Sequence, residues 1–249
     1  MPRRRFRDSI RPSRGTLLTV LSLLLLASRP AQAGPQHFGY GFSYLLVLER
    51  EGDRTVLSVY EPPLRVKDGP WLLRWRDSSD AFRSAVPNGL AAGNFWPGLI
   101  GKEYAVVLER TEEGGLAARV LDPPETFSSR PWRTLGTSAL PALEEGDILL
   151  AAAAGHLTGP TGASETAPGE PDDLILVVRA GGGEGVVARL YSPPAAPGDG
   201  TWDVRGAVPL GEVMGEGEVA GAAAADFWGN GRDSLAVCVR RGEAREIVY

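Results

Sequence analysis

The sequence predicts an all-β protein built from an internal repeat, and three observations support this prediction. Pro-Pro occurs three times, and each time a tryptophan stands eight residues after the second proline. Before each Pro-Pro lie two apolar runs joined by a short polar or glycine-rich turn, which is typical of a β-hairpin. A segment of small residues follows each tryptophan. The residues concerned are Pro62-Pro63, Pro123-Pro124, Pro193-Pro194, Trp71, Trp132 and Trp202.

Residues 1–33 have the three-part pattern of a secretory signal peptide. An arginine-rich start is followed by the apolar run Thr16–Ala27 and by Ala31-Gln32-Ala33, whose small residues suit a signal peptidase. The apolar run is shorter than the roughly 20 residues of a membrane-spanning helix. We therefore expect export to the periplasm or the extracellular space. The sequence leaves the choice between general secretion and twin-arginine export open.

Without this signal, the chain is strongly acidic. Residues 34–249 carry 19 basic and 30 acidic residues, which is a formal charge of −11. Such a surface repels phosphate backbones and anionic lipid. We therefore expect no nucleic-acid partner and no membrane span after signal cleavage. The lone Cys238 lies in an apolar run, so we expect it to be buried in the core.

The elements of each repeat follow one order. An unbroken apolar run predicts a strand covered on both faces, and a second strand follows the turn. Pro-Pro then ends ladder pairing because proline has no N–H to donate, and a third strand starts at the tryptophan. The first strands are Tyr44–Leu48, Tyr104–Leu108, Leu174–Val178 and Leu235–Val239, and the second strands are Thr55–Tyr60, Leu116–Leu121, Val186–Tyr191 and Glu246–Tyr249.

The fourth segment of each repeat consists mainly of alanine and other small residues. These segments are Leu90–Gly93, Leu150–Ala154 and Val219–Ala225. Alanine favours helices, but the recurrence of these segments in a strand-rich repeat predicts strands that pack closely against a neighbouring backbone. The repeated tryptophans are either platforms for a ligand or packing wedges between sheets, and we favour the wedges.

Four strands in about 60 residues match a propeller blade better than a solenoid coil. We predict a β-propeller-like array of four-stranded blades, with three full blades plus half of a fourth, in one domain over residues 34–249. A propeller closes with four to eight blades, so a truncated chain, two copies completing one ring, and a small closed ring all stay open. The units are about 44–103, 104–173, 174–234 and, in part, 235–249.

The segment Ala225–Val237 resembles the loop and following strand of FG-GAP/VCBS β-propeller repeats. It contains Asp226-Phe227-Trp228-Gly229-Asn230-Gly231 before Leu235-Ala236-Val237, and Gly93–Trp96 is a weaker copy. The resemblance implies an exported, non-enzymatic module for binding, adhesion or interaction, with a protein or carbohydrate ligand at one propeller face. Trp96, Trp228 and Asn230 are then the candidate ligand contacts, although burial as wedges remains open for the tryptophans.

In the family this loop often wraps oxygen ligands around calcium. Asp226 matches the first ligand position and Asn230 the third, while Asp233 lies one residue before the last. Trp228 holds the second position and offers no oxygen. Asp226, Asn230 and Asp233 are therefore the candidate calcium ligands, and we predict no tight site and no obligatory cofactor.

The sequence contains no recognisable catalytic motif. His37 and His156 are the two histidines, and neither stands in a nucleophile or metal pattern. We interpret Glu170, Asp172 and Asp173 as solvated loop charges. The alternative to a binding module is an exported propeller-type hydrolase or lyase acting on polysaccharide, with two carboxylates brought together from different units. A structural repeat without a ligand is a third possibility.

Overall fold

The structure, a computed structural model, is all-β in the residues that it describes. The signal segment, His37 and Trp71 lie outside these residues. In the described chain, the helical elements are one 3₁₀ turn, Asp80–Phe82, and the four-residue α1, Gly211–Met214. The described residues are 45–61, 72–77, 80–96, 103–123, 132–141, 143–157, 171–181, 185–215, 217–225, 227 and 233–248.

The strands of this part of the chain form four antiparallel sheets, and within each sheet the strands are arranged in sequence order. The first sheet contains β1 Leu45–Glu51, β2 Arg54–Glu61 and β3 Leu72–Asp77; the second β4 Ala85–Gly93, β5 Tyr104–Arg110, β6 Leu116–Asp122 and β7 Arg133–Leu140; the third β8 Ile148–Gly155, β9 Asp173–Arg179, β10 Val186–Ser192 and β11 Asp203–Pro209; and the fourth β12 Glu218–Ala225, β13 Ser234–Arg241 and β14 Ala244–Val248.

The predicted units and the observed sheets are offset by one strand. Each alanine-rich strand pairs with the hairpin that follows it, as in the register partners Gly93 and Tyr104, so a unit boundary at 103/104 falls inside a sheet. Among the described residues, two sheets have four strands and two have three, and no closed ring is detected. The all-β prediction is confirmed, together with the four-stranded antiparallel sheets.

The alanine-rich segments are strands, as predicted, and they form the contacts between neighbouring sheets. A Cβ placed on Gly93 of β4 would lie 2.6 Å from the Cβ of Ala154 in β8. In the same way, a Cβ on Gly155 would lie 2.7 Å from that of Ala224 in β12. Only residues with little or no side chain allow two backbones to approach this closely. Tertiary packing therefore overrides the helix preference of alanine.

The apolar faces of the sheets form a core on each side of the second sheet. The core between the second and third sheets includes Val106, Leu108, Leu174, Leu176 and Trp202, all fully buried. The core between the first and second sheets includes Leu46, Leu57, Val59, Leu90, Val107 and Trp132. The hairpin strands β5 and β9 are buried on both faces, which explains their unbroken apolar sequences, whereas β13 is only partly buried.

The third segment between Pro-Pro and tryptophan, residues 195–201, crosses to the outer edge of the preceding sheet. Thr201 forms a parallel bridge with Ala139 of β7, and the Trp202 N–H donates to the Ala139 carbonyl over 3.0 Å. The Trp202 side chain is fully buried between the second and third sheets, and Trp132 is buried in the neighbouring core. The prediction that these tryptophans are packing wedges is confirmed for both; Trp71 lies outside the described residues.

The edge strands β4, β8 and β12, through which neighbouring sheets meet, are called the innermost strands. Their close approach gives a first prediction. Replacing Gly155 with alanine places a Cβ 2.7 Å from the Cβ of Ala224 and 3.1 Å from the Asp233 carboxylate. We expect Gly155→Ala to lower the free energy of unfolding, measured by urea denaturation, by about 1–3 kcal/mol. Gly221→Ala in β12 is the matched control, because no described atom lies within 4 Å of its added Cβ. Equal stability of the two variants would contradict the packing described here.

Candidate functional site

The ends of the three innermost strands β4, β8 and β12 lie side by side. Gly93 meets Ala154 and Gly155 meets Ala224 at the last residues of these strands. The loops that follow the three strands therefore leave the sheets at the same end of the array. Loops on a rigid scaffold are common sites of binding and catalysis, so the side chains around these strand ends form the candidate site.

An aspartate from the following sheet holds each of the first two strand ends. The Asn94 N–H donates to Asp172 Oδ2 over 2.6 Å, and the Asp172 N–H donates to the Asn94 carbonyl over 3.0 Å. At the next junction, the His156 N–H donates to Asp233 Oδ2 over 2.8 Å. These bonds satisfy backbone N–H groups where strand pairing stops. Asp172 and Asp233 thus clamp neighbouring sheets together at the same position of the repeat.

The structure places one of the three candidate calcium ligands. Asp233 is a sheet clamp, with Oδ2 bound to the main chain of His156, while Asp226 and Asn230 lie outside the described residues. No group of three or more His, Cys, Asp or Glu side chains that could hold a metal ion is found in the part of the chain that the structure describes. The prediction that residues 226–234 form no tight calcium site therefore stays untested.

Trp96 belongs to an aromatic cluster that locks the second and third sheets together. Its ring is 8% exposed and stands edge-on to Tyr104, with ring centroids 5.3 Å apart, while Phe95 meets Trp202 at the same distance. The Trp96 Nε1–H donates to the Pro194 carbonyl over 2.8 Å. Edge-to-face pairs of this kind add to the energy of burial. Of the two interpretations of Trp96, the geometry corresponds to the buried wedge.

In the loop after β12, the aromatic ring at the position of Phe95 is exposed instead of buried. Phe227 occupies the position of Phe95 but is 49% exposed, whereas Phe95 is fully buried. Phe95 is covered by Trp202 from the next sheet along the chain. The candidate contacts Trp228 and Asn230 lie next to Phe227 in sequence but outside the described residues. Phe227 is therefore the described aromatic side chain at these strand ends that a ligand can reach.

Glu103 stands at the repeat position of Asp172 and Asp233, directly before the first hairpin strand of its sheet. Burial, and after it the negative charge of Asp172, raise the pKa of Glu103 to about 7. The structure thus places carboxylates from two different sheets within each other's electrostatic influence, with Glu103 half protonated at about pH 7. Asn94 Oδ1, at the neighbouring strand end, is buried and has no hydrogen-bond partner among the described residues.

The interpretation of Asp172 and Asp173 as solvated loop charges was wrong. Asp172 clamps the Asn94 backbone, and Asp173 is 1% exposed. Arg205 and Ser192 bind the two oxygens of Asp173 over 2.7 and 3.2 Å. Burial raises the pKa of Asp173, and the Arg205 charge acts in the opposite direction. The signal that could have located Asp172 was its alignment with Asp233 and Glu103 before equivalent strands.

The comparisons with known proteins give no family for this chain. No protein-family model matches it, and no similar curated protein or solved structure was found. Across the residues that the structure describes, there is no helix with the length and apolar character needed to cross a membrane.

The partly buried Glu103 gives a second prediction. Its raised pKa means that folding opposes its ionisation, so this group favours folding most below about pH 4.5, and the contribution falls until about pH 7. At about 1.4 kcal/mol for each pH unit, the loss amounts to at most about 3.5 kcal/mol. We expect Glu103→Gln to remove this part of the pH dependence and to gain stability over wild type at pH 8.5, measured by urea denaturation at pH 4.5 and 8.5.

Glu112→Gln, which removes a carboxylate from the exposed turn between β5 and β6, is the control for this experiment. We expect its stability to follow that of the wild-type protein at both pH values. If Glu103→Gln also follows the wild-type protein, Glu103 is not buried as described.

Proposed function

We propose that this protein is an exported, non-enzymatic interaction module of the β-propeller type. Its ligand, a protein or a carbohydrate, binds to the loops that follow β4, β8 and β12. The resemblance of residues 225–237 to FG-GAP/VCBS repeats supports this proposal, because that family implies binding or adhesion. The acidic charge of residues 34–249 supports a partner other than nucleic acid.

The observation that carries the proposal is the alignment of the three innermost strand ends. The contacts at Gly93 and Gly155, together with the Asp172 and Asp233 clamps, fix the strand ends from which three successive loops start. Such an arrangement presents several loops to one ligand without the loss of much conformational freedom on binding. The loops differ in sequence while their anchor points repeat, as is common for binding surfaces on a fixed scaffold.

Ring closure is a separate part of the proposal. Two of the described sheets have three strands, and β1 and β14 are edge strands of these sheets. Edge strands expose unpaired backbone groups that another strand can complete. Self-association of two copies would complete one ring, and a small ring formed by a single chain is the alternative. Sedimentation of residues 34–249 as a dimer would support the first arrangement, and a compact monomer the second.

The loop surface is tested with Phe227→Ala, the third prediction. Phe227 is 49% exposed. The matched control is Leu73→Ala in the outer strand β3, because Leu73 is equally exposed, at 50%, but lies far from the strand ends in the sequence. The probes are immobilised cellulose, xylan, pectin, chitin, collagen and fibrinogen, with binding measured by biolayer interferometry.

We expect saturable binding to at least one probe, because exposed aromatic residues are frequent energetic centres of interfaces. Phe227→Ala should weaken this binding about tenfold or more, and Leu73→Ala should leave it unchanged. Absence of binding to every probe would overturn the proposal, as would equal affinities of the two variants.

A polysaccharide hydrolase or lyase is the second candidate, and the pairing of Glu103 with Asp172 favours it. Glycosidases combine a carboxylic acid of raised pKa with a second, ionised carboxylate. One oxygen of Asp172 is, however, engaged by the Asn94 N–H, which supports a structural role. Release of reducing ends from xylan, cellulose, pectin or chitin is the test. Release that is abolished by Glu103→Gln would establish the enzyme and overturn the non-enzymatic proposal.

A further inference from the structure

We propose that the outer edge of β11, at Gly206, is a docking groove for an extended segment of another polypeptide, one that carries a glycine four residues before a tryptophan. The proposal concerns the periphery of the third sheet and is independent of the loop site. It rests on a second groove of the same construction, which the chain fills with its own residues.

The filled groove lies on β7 of the second sheet. Gly198, from the segment between Pro194 and Trp202, crosses β7 at Gly136, where an added Cβ would lie 2.8 Å from the Gly198 Cα. The crossing segment then bridges Ala139 in parallel and donates the Trp202 N–H to the Ala139 carbonyl over 3.0 Å. The segment thus forms one parallel bridge with an edge strand, the kind of contact that is extended when a protein binds a peptide by strand addition.

The strand β11 repeats the construction of β7 residue by residue. Gly136 pairs with Val120 of β6, and Gly206 pairs with Leu190 of β10. In both sheets the register shifts directly after this pair, between Val120 and Leu121 and between Leu190 and Tyr191. The irregularity and the glycine therefore occupy equivalent places in the two sheets.

Among the described residues, no neighbour requires glycine at position 206. No described atom lies within 4 Å of the Cβ that another residue would carry there, in contrast to Gly136. Glycine inside a strand weakens the strand, and it is found at bulges and where a second backbone approaches closely. At Gly136 that backbone is the crossing segment, so Gly206 points to an equivalent contact with a different molecule.

The exposed side chains on either side of Gly206 support a contact with another molecule at this edge. Val208 of β11 occupies the position of Ser138 in β7, but Ser138 is 1% exposed and Val208 is 42% exposed. Val204, on the other side of Gly206, is 62% exposed. Two exposed valines therefore flank a strand glycine at a sheet edge, an arrangement that favours pairing with an added strand.

The filled groove also defines the chemistry of the occupant. A small residue must cross Gly206, because the crossing at Gly136 brings two glycine backbones into contact. Pro209 occupies the place of Ala139, because Pro209 pairs with Val187 and Ala139 pairs with the equivalent residue Ala117. A main-chain N–H of the occupant must therefore reach the Pro209 carbonyl. The tryptophan side chain would then enter between the third and fourth sheets.

The test uses a fluorescein-labelled peptide with the sequence of residues 192–203, the segment that fills the Gly136 groove, and measures fluorescence anisotropy with the whole protein. We expect saturable binding, with a dissociation constant below about 1 mM as suits a short peptide. Changing the glycine equivalent to Gly198 in the peptide to valine, or its tryptophan to alanine, should weaken binding at least tenfold.

On the protein, Gly206→Val should weaken peptide binding at least tenfold while leaving the melting temperature within a few degrees of wild type, because its surroundings are open. Gly221→Val is the matched control, since its Cβ position is also open but lies in β12, and it should bind normally. Absence of binding at millimolar peptide overturns the proposal. So does equal binding by Gly206→Val, which would mean that the peptide displaces the internal segment from Gly136.

Discussion

The close approach of the innermost strands is the constraint on which the rest of the structure depends. Gly93 and Gly155 place neighbouring backbones so near that a single Cβ would collide. This spacing lets Asp172 and Asp233 reach across to the preceding strand end. It also brings the apolar faces of the hairpins together, so that buried area stabilises the stack. Larger residues at the two glycines would separate the sheets and weaken all of these contacts at once.

In the third repeat, the offset from Pro-Pro to tryptophan has its explanation at the opposite, outer edge of the sheets. The prolines stop pairing after β10, the chain crosses to β7 of the preceding sheet, and Trp202 then fills the space between the two sheets. Trp96 strengthens this junction from the other side by binding the Pro194 carbonyl. The third sheet is therefore joined to the second at both its inner and its outer edge.

The sequence predicted the strands well because periodic turns, Pro-Pro and apolar runs act locally. Even the alanine-rich strands were predictable, since their recurrence outweighed helix propensity. Features that depend on which sheet covers which face were not predictable in this way. The apolar run around Cys238 predicts a core position, but Cys238 is only partly buried; the local sequence of Asp172 and Asp173 is typical of loop charges, but both side chains bind neighbouring strands. Each depends on a partner far away in the sequence.

The fourth sheet carries different residues on the face that points away from the third. At the position of Gly155 it has Ala225, and at the position of Ala188 it has Ile247, which is 63% exposed. The contact of β8 with β12 requires a glycine where Ala225 stands and a small residue where Ile247 stands. A sheet that packs on this face, whether from a second copy or another protein, must therefore do so at a wider spacing than the internal junctions.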